Sequence, residues 1–73
     1  MTDVAAKLVR MANQIAANFA AQGEAEAIRA TADHIRLFWD PRMKAGILAG
    51  DRSELSPVAC AAIDQLSAEV RAG

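Results

Sequence analysis

With 73 residues and a formal net charge of −1, the chain lies near the lower size limit for folding alone and has no bulk attraction for nucleic acid or an anionic membrane. Eighteen alanines dominate its 53% hydrophobic content, and its single Cys60 excludes an internal disulfide, which suits a reducing cytoplasm. No apolar run approaches the ~20 residues of a membrane span, and the opening MTDVAAKLVRMANQIAANFA lacks the uninterrupted apolar core of a secretory signal.

Alanine is the strongest helix former because it loses no side-chain entropy, and β-branched and aromatic residues nowhere alternate as strands require. The breakers fall at Gly23, at Asp40-Pro41 and between Gly50 and Pro57. They divide the chain into an all-α pattern: a small bundle of three main helices plus one short one, within one domain spanning residues 1–73.

The first helix is expected over about residues 3–21, capped by Thr2 or Asp3 and ended by a left-handed turn at Gly23. At 100° per residue, Val4, Leu8, Met11, Ile15 and Phe19 form one stripe, expected to face the core. Beside it runs a smaller stripe, Ala5, Val9, Ala12 and Ala16, that lets a neighbouring helix come close. Lys7, Arg10, Asn13, Gln14 and Asn18 make the polar back. Lys7 and Arg10 outnumber Asp3, which leaves open an amphipathic helix lying on a surface.

The second helix is expected over about 24–39, with Ile28, Ala32, Ile35 and Trp39 facing inward and Arg29–Asp33 as an (i, i+4) ion pair on the outer side. Asp40-Pro41 is a strong restart signal, an N-cap followed by the residue best tolerated at the first helical position. A short helix over 41–49 follows, with Gly46 marking a close approach of backbones. Ser56-Pro57 repeats the cap signal and starts a last helix over about 57–71. Its stripe is Ala59, Ile63, Leu66 and Val70, and Leu55 is placed to staple against a buried Cys60.

Chemistry-bearing residues are scarce. His34 and Cys60 lie on different helices with no metal-ligand spacing around either, the four glycines are too scattered to cradle a phosphate, and the carboxylate pairs sit in polar stretches. The reading therefore expects no catalytic, cofactor-binding or metal-binding residue in this chain. A helix-turn-helix reading is weak, because the helix after Asp40 is short and ends in ILAG rather than in side chains that read base edges.

The unusual segment is LFWDPRMK, residues 37–44, which holds two of the three aromatics side by side. Consecutive Leu37, Phe38 and Trp39 fan over about 200° on a helix, so one face cannot bury all three. Trp39 belongs to the core, Phe38 sits on its shoulder, and Leu37 points outward. Arg, Met and aromatic side chains are the types enriched in interface cores. Two readings stand side by side: a corner of the core with solvated cations, or a surface for a partner protein. The candidates for such a surface are His34, Leu37, Phe38, Arg42, Met43, Lys44, Ile47 and Leu48.

The segments LVRMANQIAANFAAQG and HIRLFWDPRMKAGI together resemble the small delta subunit of the soluble NAD-dependent formate dehydrogenases. The match is carried by Met11–Ile15, by His34–Met43, and more broadly by residues 8–48. The resemblance implies a non-catalytic accessory chain that stabilises or helps assemble a cytoplasmic complex oxidising formate to CO2. The partners are then the large subunits, which carry a molybdenum or tungsten pterin, iron–sulfur clusters and FMN and pass electrons to NAD. The alternative is a stand-alone helical module, either self-associating when isolated or a small DNA-binding regulator. The main reading expects neither nucleic acid nor a membrane as partner.

Overall fold

The computed structural model describes residues 4–72. It contains α1 (Val4–Phe19), a 3-10 turn (Ala20–Gln22), α2 (Glu24–Phe38), α3 (Pro41–Ala49) and α4 (Pro57–Ala72), with no strand among the described residues. The expected all-α bundle of three long helices and one short one is therefore what forms. Helix α2 lies along both α4 and α1, and α3 crosses the assembly to touch α1 and α4. The radius of gyration is 11.3 Å, close to the ~11 Å expected of a compact chain this long.

The caps follow from local chemistry. Asp40 has extended backbone, and its Oδ1 accepts a hydrogen bond from the Met43 amide at 2.8 Å, while Pro41 takes the first helical position. Ser56 acts likewise: its Oγ accepts from the Ala59 amide at 3.3 Å, and Pro57 follows. Gly23 adopts φ 96°, which only glycine takes without strain, but its ψ of 154° makes it an extended link rather than a left-handed helical turn. Its amide donates to the Ala20 carbonyl and its own carbonyl accepts from Ala27, so it closes the 3-10 turn and opens α2. The expected caps Thr2 and Asp3 lie outside the described residues.

The core departs from the expected stripes on α1. Its buried residues are Leu8 from the expected stripe and Ala12 and Ala16 from the small one, so the inward face lies between the two stripes; Met11, Ile15 and Val9 are half-buried against the core, Phe19 is half-buried, and Val4 and Ala5 are exposed. The reason is proximity. A Cβ added at Gly46 would stand 2.8 Å from Leu8 Cδ1, so α3 meets α1 through a glycine and a side-chain tip rather than backbone against backbone. Alanines at 12 and 16 keep that side of α1 thin. From α2 the core takes Ala32 and Ile35, from the following residue Trp39, from α3 Ile47, and from α4 Ala59, Ala62, Ile63 and Leu66. Ile28 is only half-buried, and Val70, in the last turn of α4, is exposed. Thr31 is fully buried, and its hydroxyl has no hydrogen-bond partner.

Polar links fix the connections. Asn13, read from the sequence as part of a solvated back, instead reaches the 51–56 connector. Its Nδ2 donates to the Glu54 carbonyl at 3.0 Å and its Oδ1 accepts from the Ser56 amide at 2.8 Å. Arg52 Nε donates to Asp64 at 2.9 Å and holds the same connector to α4. The expected Arg29–Asp33 pair does not form: Arg29 bridges to Glu26 at 2.6 Å, and Asp33 pairs with Arg36. Both alternatives are (i, i+3) neighbours on the same helical face. Cys60 is half-exposed rather than buried, its Sγ 4.0 Å from Asp64 Oδ2, while Leu55 packs against the core cluster, to which Cys60 does not belong.

Candidate partner interface

The corner between α2 and α3 is built from a helix that ends one residue early. Helix α2 stops at Phe38, and Trp39 is extended (φ −85°, ψ 138°) while its amide still donates to the Ile35 carbonyl at 3.0 Å. This change of direction drives the Trp39 ring into the core, where it is 5% exposed. Leu37 and Phe38 stay on the last helical turn and remain outside, 73% and 72% exposed. Leu37 was expected there. Phe38 was expected on the shoulder of the core; the early end of α2 removes the helical relation between it and Trp39. Its ring rests on His34, with centroids 4.8 Å apart and planes tilted by 38°.

The remaining candidates divide by depth. Arg42 is exposed on the first turn of α3, and Met43 and Leu48 are half-buried against the core. Lys44 is also half-buried, and its Nζ donates to the Arg36 carbonyl at 3.1 Å. A cation there complements the negative end of the α2 dipole. Ile47 is 3% exposed and belongs to the core, so it presents nothing to a partner in the folded chain. Its candidacy for the partner surface is corrected by its burial with Leu8, Ile63 and Leu66 in the core.

Beneath the corner, Arg36 acts as a fork. Its Nε and Nη2 donate to the two carboxylate oxygens of Glu69 at 3.0 and 2.6 Å, and its Nη1 pairs with Asp33. These hydrogen bonds raise the Arg36 pKa above its ordinary value and hold the Glu69 carboxyl below the usual carboxylate range. The fork joins α2 to α4 directly below Leu37 in sequence. No signal in the sequence named Glu69 as its partner, because the pairing depends on how the two helices align.

A second surface lies between α1 and the same corner. An open groove of about 600 Å³ is lined by Lys7, Arg10, Met11, Gln14, Ile15, His34 and Trp39. Its floor is apolar and its rim is cationic. Among the described residues no three or more His, Cys, Asp or Glu side chains come together in a way that could hold a metal ion, and no helix is long and apolar enough to cross a membrane. Two large apolar side chains stand outward at the end of α2, beside a groove lined by Lys7 and Arg10.

The search against curated proteins and the search against solved structures each found no match. A family model described as "NADH-dependant formate dehydrogenase delta subunit FdsD" matches residues 7–63, which include α2, α3 and nearly all of α1. The chain therefore belongs to the family of formate dehydrogenase delta subunits.

Proposed function

We propose that this chain is a non-catalytic accessory subunit that docks on the large subunits of a cytoplasmic NAD-dependent formate dehydrogenase and stabilises or helps assemble it. The observation that carries the reading is the outward pair Leu37 and Phe38, each more than 70% exposed on a helix end tied down by Arg36–Glu69 and by the Asp40 cap. Two adjacent large apolar side chains held in water on a helix whose backbone is already fixed lose only side-chain freedom when a partner covers them. Family membership supports a partner among the other formate dehydrogenase subunits.

On this reading the chain acts as one helical domain and brings no reactive group. The pterin-bound molybdenum or tungsten, the iron–sulfur clusters and the FMN reside on the partner subunits, as does the site for NAD. Leu37, Phe38 and Arg42 form the outer part of the contact, His34, Met43, Lys44 and Leu48 support it, and Ile47 acts only from within. The test is to produce the complex with and without this chain. Lower yield, lower metal and FMN content or earlier thermal inactivation without it supports the reading; a complex unchanged in all three contradicts it.

A further inference from the structure

The groove beside α1 has a chemistry that the Leu37–Phe38 corner does not share. Lys7 and Arg10 stand one turn apart on its rim, both exposed, and among the described residues no acidic one lines it. Among the described residues Arg29, Arg36 and Arg52 each hold a carboxylate, whereas Lys7 and Arg10, like Arg42, Lys44 and Arg71, enter no ion pair; what sets Lys7 and Arg10 apart is that both line one groove. In a chain of net charge −1 this is a local concentration of positive charge over an apolar floor made by Met11, Ile15 and the edge of Trp39. Methionine adapts its shape to what lies on it. His34 lines the groove and its ring touches Phe38, so the floor continues toward the exposed corner.

We propose that this groove seats an acidic, amphipathic segment of a partner protein, with Lys7 and Arg10 meeting its carboxylates and Met11 and Ile15, beside the edge of the buried Trp39, receiving its apolar side chains. Charge complementarity selects the occupant: a basic segment would meet unpaired like charge, and a neutral one would leave both cations without partners. The inference rests on the docking reading for the identity of the partner but not for the chemistry of the groove.

Trp39 is the only tryptophan and lines the groove, so its emission reports occupancy in the full-length chain. The probes are a synthetic amphipathic peptide bearing Leu on one face and Glu on the other, and the same peptide with Lys in place of Glu. The Glu peptide is expected to shift Trp39 emission with an affinity that falls about tenfold or more between ~50 and ~500 mM salt, as screening of exposed charges requires. The Lys peptide is expected to give no shift. Lys7→Glu with Arg10→Glu should abolish the response, whereas Leu37→Ser should keep it. Equal responses to both peptides, no response to either, or a response that survives charge reversal overturns the inference. Salt-sensitive self-association that charge reversal removes would assign the groove to a second copy and overturn it as well.

Capture by the formate dehydrogenase large subunits separates the two readings. If Leu37→Ser and Phe38→Ser abolish capture and charge reversal leaves it intact, the groove inference fails while the docking reading stands. If wild type is not captured but the peptide result holds, the docking reading fails and the groove remains.

Discussion

The carboxylate of Glu69 accepts two hydrogen bonds from one guanidinium, at 3.0 Å from Arg36 Nε and 2.6 Å from Arg36 Nη2, and this joins the end of α4 to the last turn of α2. The next two residues along α2 are the exposed Leu37 and Phe38. A two-pronged pair fixes orientation as well as distance, so it holds the apolar corner in one attitude.

The pair makes stability depend on acidity in a definite direction. The Glu69 carboxyl is held below its ordinary range by the Arg36 hydrogen bonds. A carboxylate whose folded pKa is depressed contributes stability above its unfolded value and loses it as the pH falls through the folded one. Glu69→Gln is therefore expected to be less stable than wild type at neutral pH. The two should converge in denaturant titrations carried out below the usual glutamate range. A difference that persists there would assign the effect to packing rather than to the charge.

Asp40 is the second support of the corner. Asp40→Ala removes the acceptor for the Met43 amide, and loss of an N-cap costs about 0.5–2 kcal/mol. Urea unfolding should register that loss. Asp40→Asn, which keeps a capping oxygen, should recover most of it.

Gly46 distinguishes helix propensity from packing. Gly→Ala inside a helix ordinarily stabilises by about 1 kcal/mol, but here the new methyl would stand 2.8 Å from Leu8 Cδ1. Because Leu8 is buried, that atom has little room to move. Gly46→Ala should fall short of the full gain in wild type and approach it in a Leu8→Val background, where that atom is absent. A double-mutant cycle by thermal unfolding measures the coupling.

Thr31 is buried with an unpartnered hydroxyl, and leaving such a group unsatisfied costs about 1–3 kcal/mol. Thr31→Val keeps the shape and removes the hydroxyl. It is expected to leave the melting temperature unchanged or to raise it, and a clear fall would show that the hydroxyl has a partner.

How much of this was legible in the sequence depended on range. Asp40-Pro41 and Ser56-Pro57 specify their helix starts locally, and both formed with the expected side-chain bonds. The inward face of α1 was not legible. Periodicity gives two adjacent stripes, and the core takes Leu8 from one and Ala12 and Ala16 from the other, with Gly46 admitting the tip of Leu8 beside α3. Trp39 is in the core as its spacing from Ile35 implies, whereas Phe38, the last residue of α2, lies exposed rather than on the shoulder of the core. Ion pairs were the least legible, since Arg29 and Asp33 each had neighbours at more than one spacing and Glu69 lay on another helix.

The central claim, that the exposed end of α2 docks this chain on a formate dehydrogenase large subunit, is tested most directly by capture with the double substitution Leu37→Ser, Phe38→Ser. Both side chains are more than 70% exposed, so the variant should fold with unchanged helicity and melting temperature. The account predicts that tagged wild-type chain retains the large subunits through purification and that the variant retains them at least about tenfold less, the equivalent of ~1.4 kcal/mol of binding. Equal retention by a folded variant would contradict it.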